Sequence, residues 1–95
     1  MLFMVVETFA EGNLPRVGQR FQEKGRMLPD GVSYQVSWME VSGRRCFQIM
    51  EAASRELLDE WIACWNDLVD FEIVPVMTST EFWKVHKDDG QSAQG

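Results

Sequence analysis

The chain has 95 residues, of which 45% are hydrophobic, and its formal net charge at pH 7 is −6. This length fits one domain, and an acidic surface repels phosphate groups, so neither a nucleic acid nor a membrane is expected as a partner. A chain of this size buries only roughly 60–65% of the surface that it exposes when unfolded. Because its apolar content is high for that size, we expect a second copy to cover part of the surface, as in a homodimer.

The two cysteines, Cys46 and Cys64, lack the spacing of metal ligands. No signal-peptide pattern is present, so a cytoplasmic location with reduced thiols is expected. We predict that the cysteines are unpaired. Cys46 is expected on the sheet face away from the helix that carries Cys64, which places the two beyond disulfide reach.

The start of the chain predicts a strand followed by a helix. The segment Leu2–Phe9 is apolar on both faces, which is typical of a central strand that is covered on both sides. Asn13 is a suitable helix cap, and Pro15 is suited to the first helical turn. Helical spacing of apolar residues then continues to about Leu28.

Two glycines, Gly18 and Gly25, lie near the apolar stripe of this helix. Each lowers the helix propensity by about 1 kcal/mol relative to alanine, so their presence needs an explanation. We favour a close approach of the helix to the sheet. The alternative is that the glycines leave room for a ligand.

Residues 32–40 and 44–52 predict a β-hairpin with a two-residue turn at Ser42-Gly43. The resulting register has one apolar face, which we expect the helices to cover, and it places Tyr34 opposite Glu51. That face carries Tyr34, Val36, Trp38, Phe47, Ile49 and Glu51. The mixed face is predicted to form the dimer interface and carries Ser33, Gln35, Ser37, Cys46, Gln48 and Met50.

A second helix and a fourth strand follow. Ser54 is predicted to cap the helix, whose apolar stripe includes Trp61 and Trp65. Residues 70–77 predict the strand. Pro75 places it at an edge of the sheet, because proline cannot donate a hydrogen bond to a neighbouring strand.

The end of the chain predicts a short helix and a tail. Thr78 and Glu81 fit a capping box, which opens the helix. Residues 87–95 are polar and non-periodic, which predicts a disordered tail after a single domain over residues 1–86.

The order of these elements predicts a fold. Two strand–helix–strand units interleave into an α+β, ferredoxin-like βαββαβ arrangement, with an antiparallel sheet of order 4-1-3-2 and helices on one face. This order puts the most apolar strand in the middle and the proline-bearing strand at an edge. The local and global predictions therefore agree.

Three segments resemble a bacterial family of small proteins of unknown function: MLFMVVETF at residues 1–9, RCFQIMEA at 45–52 and WNDLVDFEIVPV at 65–76. The resemblance spans roughly residues 1–85. That family is similar in fold to the dimeric α/β-barrel superfamily, which includes cofactor-independent monooxygenases, muconolactone-isomerase-like enzymes, haem-binding proteins and stress-responsive proteins. The resemblance implies a dimeric α/β barrel but supplies no catalytic residues, since a fold does not carry a function.

The candidate pocket residues are Tyr34, Trp38, Glu51, Trp61 and Trp65. A carboxylate beside a phenol in an apolar pocket can act as a general acid or base, but we favour a structural hydrogen bond for Glu51. The tryptophans suit a flat aromatic substrate, although aromatic residues at helical spacing are more often core, which we favour.

Other polar residues give weaker signals. Gln35, Ser37 and Gln48 are candidates for binding a ligand on the mixed face, but we favour hydrogen bonds across a dimer interface. His86, the only histidine, is interpreted as a helix-end residue, although haem-binding relatives of the fold use a histidine on iron. No metal site and no cofactor are expected.

Two functions remain open. The first is a small dimeric ligand-binding or stress-associated protein that binds a small apolar or aromatic molecule without catalysis. The second is a cofactor-independent monooxygenase or isomerase acting on a small aromatic substrate. A cavity between helices and sheet with Glu51 or Tyr34 pointing into it would favour the enzyme.

Overall fold

A computed structural model describes residues 1–86; the predicted tail, residues 87–95, lies outside the described residues. The elements in chain order are β1 (Leu2–Phe9), α1 (Leu14–Lys24), β2 (Val32–Met39), β3 (Arg45–Ala52), α2 (Arg55–Ala63), β4 (Val69–Val76) and α3 (Ser79–Val85). The strands form one antiparallel sheet of order β2-β3-β1-β4. The predicted ferredoxin-like order 4-1-3-2 is therefore confirmed.

Helix capping follows the local sequence at α2 and α3. The Ser54 hydroxyl accepts a hydrogen bond from the Leu57 N–H at 3.3 Å. The Thr78 hydroxyl accepts one from the Glu81 N–H at 3.0 Å, and the Glu81 carboxylate accepts one from the Thr78 N–H at 3.4 Å. These reciprocal bonds confirm the predicted capping box.

The ends of α1 differ from the prediction. Asn13 makes no side-chain cap; its amide instead donates to the Leu68 carbonyl at 3.2 Å. The helix ends at Lys24 rather than near Leu28, because Gly25 adopts a φ of 68° and its N–H bonds back to the Phe21 carbonyl. A positive φ is readily adopted only by glycine, which explains this residue at the helix end.

An irregularity in β2 changes the predicted hairpin register. Val36 pairs with Ile49, as predicted. The register then shifts between Tyr34 and Val36, so that Tyr34 pairs with Met50 instead of Glu51. The predicted contact between Tyr34 and Glu51 is therefore wrong. A bulge of one residue moves the side chains that precede it to the other face of the sheet.

The helices cover the face that was predicted to be the dimer interface. Buried residues of the sheet on this face include Val5, Met50 and Ala52, which pack with the buried Leu58 and Trp61. The face predicted to be covered is open instead, and it carries Val36, Trp38, Phe47, Ile49 and Glu51. The prediction failed because the register shift in β2 places Val32 and Tyr34 on the mixed face, beside Ala52 and Met50, and so makes that face more apolar than the regular register predicts.

Both cysteines are free, as predicted. The face assigned to Cys46 is nevertheless wrong, since it is buried in the helix-covered cluster with Phe9, Leu68 and Val69. Within residues 1–86, no helix has both the length and the apolar character needed to cross a membrane.

Candidate functional site

A cavity of about 370 Å³ lies between α1 and the sheet. It exists because α1 does not pack closely: no residue of this helix is fully buried. The cavity is open on one side, and exposed side chains of Leu14, Phe21 and Met39 form its apolar rim. This volume lies at the lower end of the range for small-molecule sites.

Polar anchors hold α1 in this position. The Arg20 guanidinium bonds both carboxylate oxygens of Asp67, at 2.7 and 2.8 Å, and also donates to the Cys64 carbonyl at 3.0 Å. This pair lowers the pKa of Asp67 to about 2. With the Asn13–Leu68 bond, these contacts tie α1 to the segment that joins α2 to β4. These polar contacts therefore hold α1 against the segment between α2 and β4, and the cavity remains between the helix and the sheet.

Gly18 lines the cavity from the α1 side. A Cβ atom built at this residue meets no other atom within 4 Å. The favoured interpretation, a close approach of helix and sheet, is therefore wrong at Gly18, and the structure shows open space there. No positive φ requires glycine at this position, and the open space leaves room for a larger side chain.

Two buried tryptophans form the inner wall. Trp61 on α2 and Trp65 just after it both line the cavity. Both indole N–H groups donate to one acceptor, the Arg26 carbonyl, at 3.0 and 3.1 Å. Because their only polar atoms are bonded there, these indoles can offer a ligand nothing but ring surface.

The floor of the cavity is polar and belongs to β1 and β3. Glu7 pairs with Cys46 in the sheet, and Gln48, which is 5% exposed, lies nearby. Burial raises the pKa of Glu7 to about 7, although hydrogen bonding with Gln48, the charge of Arg26 and hydrogen bonding with Cys46 oppose the rise. Glu7 is thus an acid that changes charge near neutral pH.

The Cys46 thiol is not activated. Burial, and then the nearby charge of Glu7, raise its pKa to about 11. A nucleophilic cysteine needs the opposite shift, since the thiolate is the reactive form. In this site Cys46 serves as a small, neutral wall residue.

Arg26 brings a positive charge to the cavity. Its guanidinium carbon lies 3.6 Å from the ring centroid of Tyr34 and 5.2 Å from that of Phe21. The Tyr34 hydroxyl is in turn hydrogen-bonded to the Ser37 hydroxyl at 2.7 Å. The Arg26 guanidinium forms no ion pair or hydrogen bond with any residue in the part of the chain that the structure describes.

The structure brings together only part of the predicted pocket. Trp61 and Trp65 line the cavity, and Tyr34 contacts it through Arg26. Trp38 lies on the open face of the sheet. Glu51 accepts a 2.6 Å hydrogen bond from the N-terminal ammonium group of Met1 and lines a separate surface cleft.

Sequence analysis missed Glu7 and Arg26 as site residues. Glu7 follows Phe3 and Val5 on the inward positions of β1, so its place in the alternation was a usable signal. Arg26 lies in a loop and had no such signal. Ser37 and Gln48, which were weighed as ligand contacts on the mixed face, do line the cavity.

His86 ends α3 away from this cavity. The His86 imidazole stacks on Phe82 with a centroid distance of 4.2 Å, and the backbone N–H of His86 donates to the Phe82 carbonyl. Among the described residues, no three His, Cys, Asp or Glu side chains are grouped in a way that could hold a metal ion.

The fold and the cavity define a small α+β protein with a ferredoxin-like sheet and a partly apolar cavity on its helical side. Comparison with known families matches residues 1–90 to a domain of unknown function, DUF3303. The chain belongs to this family. No curated protein and no solved structure matches the chain.

Proposed function

We propose that this protein binds a small aromatic molecule in the cavity between α1 and the sheet. The observation that carries the proposal is the open space at Gly18, where a helix that would normally pack on a sheet leaves a cavity. An empty space lined by apolar side chains lowers stability, since its walls lack contacts that a filled core would have. A bound molecule would restore those contacts.

The shape of the lining favours a flat ring. Trp61 and Trp65, which are 3% and 5% exposed, line one side of the cavity, and Phe21 lies at the rim. Aromatic rings prefer to pack against one another in stacked or edge-to-face geometry, which adds about 0.5–1.5 kcal/mol per pair beyond area burial. A ligand with one or two fused rings fits both the volume and these walls.

Filling the cavity from α1 is expected to abolish binding. Gly18→Leu places a side chain in the space, while leucine favours the helix by about 1 kcal/mol relative to glycine. Isothermal titration calorimetry with 2-naphthol should show binding to the wild-type protein and at least about a 10-fold loss of affinity in the variant, which corresponds to about 1.4 kcal/mol.

Gln19→Leu is the matched control, because Gln19 is the next residue of α1 and does not line the cavity. It should bind 2-naphthol as the wild type does. Unchanged 2-naphthol binding in Gly18→Leu, or no binding in the wild type, would contradict the proposal.

The catalytic alternative has less support. It depended on Glu51 or Tyr34 pointing into the cavity, and neither residue lines it. The acid that does line it, Glu7, lies opposite Cys46 in the sheet. We therefore propose binding as the function of the cavity.

We also propose that the open sheet face joins two copies of the chain. This face exposes apolar side chains, among them Val36, Trp38 and Val74. Contiguous apolar surfaces of this kind are rare on monomers, and an antiparallel sheet that faces water is usually polar on that side. The proposed interface uses Trp38 and its neighbours, and not the mixed set of residues expected from the sequence.

The size of the face suits a dimer. Four adjacent strands of eight residues cover roughly 26 by 19 Å, or about 500 Å² for each chain. Two such faces bury about 1,000 Å², the lower limit for a specific interface. The exposed apolar residues of α3, Phe82 and Val85, are available to extend it.

Light scattering tests the dimer directly. At micromolar concentration, the measured mass should be twice the chain mass of 11.0 kDa. The expectation follows because hiding this apolar face against a second copy removes it from water. A mass equal to one chain over this concentration range would contradict the proposal.

A further inference from the structure

We infer that the ligand of the cavity is an aromatic carboxylate, and that the Arg26 guanidinium binds its carboxylate group. This inference rests on the proposed binding function and adds the chemical class of the ligand. The observation that carries it is the Arg26 guanidinium, a positive group at a mostly apolar cavity. No acceptor in the part of the chain that the structure describes pairs with its hydrogen-bond donors.

The position of Arg26 is fixed from two sides. Its backbone carbonyl is held by the indoles of Trp61 and Trp65, and its guanidinium lies over the ring of Tyr34. A guanidinium held on an aromatic face keeps its N–H edges free, since the ring contacts only its flat side. Those edges match the two oxygens of a carboxylate, which can be bound by two parallel hydrogen bonds.

The opposite charge in the cavity does not already satisfy Arg26. Glu7 acts on it through space, but the two groups form no salt bridge. Glu7 instead lies opposite Cys46 in the sheet and lines the same cavity as Gln48. A half-buried arginine with aromatic neighbours and no bound carboxylate is therefore ready for an anionic ligand.

A carboxylate ligand should also change the charge of Glu7. Two carboxylates in one apolar cavity repel, so binding favours the neutral form of Glu7 and takes up a proton. The other ionisable groups that face Glu7 are Cys46 from β3 and Arg26 from the loop after α1. Burial raises the pKa of Cys46 to about 11, so its thiol stays protonated at pH 7. The lining side chains from α1 and α2 are not ionisable, and the residue paired with Glu7 on β4 is Phe71.

Calorimetry with 2-naphthoate and 2-naphthol tests the inference, because the two probes share a ring system and differ in charge. At pH 6, 2-naphthoate should bind at least about 10-fold more tightly, as expected for a charge-assisted bidentate contact. Arg26→Gln should lose this preference and still bind 2-naphthol. Its backbone carbonyl, which holds the tryptophans, is unchanged. Arg16→Gln, which removes the same charge from the exposed side of α1, should behave as the wild type.

The pH dependence gives a second, independent readout. Between pH 6 and pH 8, the affinity for 2-naphthoate should fall about 10-fold in the wild type, the limit for uptake of one proton by a group that titrates near pH 7. In Glu7→Gln this fall should disappear. The affinity for 2-naphthol should change little over this range in either protein.

The outcomes separate the two proposals. If neither probe binds, the proposed binding function fails and the inference fails with it. If 2-naphthol binds and 2-naphthoate binds no better, the cavity binds aromatic molecules but the carboxylate inference is wrong. Retention of the 2-naphthoate preference in Arg26→Gln would also overturn it.

Discussion

Glu7→Gln should raise the free energy of unfolding at pH 8 by about 3 kcal/mol, because the pKa of Glu7 rises from 4.5 to about 7 on folding and each pH unit of difference corresponds to about 1.4 kcal/mol. Burial is the main cause of the rise. The neutral glutamine side chain has a similar shape and avoids ionisation inside the cavity. A single substitution of a polar residue rarely stabilises a protein this much.

The sign of the pH dependence follows from the direction of the shift. Between pH 4.5 and about 7, the folded protein holds a proton on Glu7 that the unfolded chain has lost. The contribution of Glu7 to the free energy of unfolding is therefore greatest below pH 4.5 and decreases as the pH rises to about 7. Above that pH, the folded state contains a buried carboxylate and the loss is complete.

Urea unfolding at pH 5 and pH 8, at a fixed protein concentration, measures this effect. The gain in Glu7→Gln should be large at pH 8 and small at pH 5. Glu11→Gln is the control, since Glu11 is exposed in the turn after β1 and should show no gain at either pH. A gain of equal size at both pH values, or a loss at pH 8, would show that ionisation of Glu7 does not limit stability.

Trp38→Glu should convert the proposed dimer to a monomer. Trp38 is 57% exposed and lies on the open sheet face opposite Phe47. In a dimer, the glutamate would be buried without a partner, and an unpaired charge of this kind costs several kcal/mol. Because the substitution is repeated in each copy, we expect dimerisation to weaken by at least about 100-fold.

Val41→Glu is the matched control for Trp38→Glu. Val41 is fully exposed in the turn between β2 and β3, outside the paired residues of the sheet. It adds the same charge and should leave the mass measured by light scattering unchanged. A dimer that persists in Trp38→Glu would show that the chains associate through another surface.

The strand order could be predicted because several signals agreed. The apolar strand Leu2–Phe9 required a central place, and Pro75 required an edge, and only a few topologies satisfy both. The capping residues Ser54 and Thr78 acted locally, so their effect did not depend on the rest of the fold. These features needed only short-range chemistry and the rules of chain connection.

The covered face could not be predicted from the hairpin alone. Val36 and Trp38 make one face apolar, while the other face combines Met39 and Met50 with polar side chains. The register shift near Gln35 also lacked a signal, since neither glycine nor proline marks it. The choice between the faces depended on side chains from β1 and α2, which the hairpin sequence does not contain.

The candidate site was harder to predict for a similar reason. The space at Gly18 exists because Arg20 and Asn13 anchor α1 to a segment more than 40 residues away in the chain. Neither residue carries a pattern that indicates this contact. Glu7 was visible in the alternation of β1, but its importance depends on the cavity above it.

The backbone and the side chain of Arg26 have different roles. The backbone carbonyl holds both tryptophans, and the side chain faces the cavity. Since every amino acid has that carbonyl, a substitution at this position can keep the scaffold intact. Under the proposed binding function, a single substitution at position 26 would change the ligand preference of the cavity and leave the contacts of its core in place.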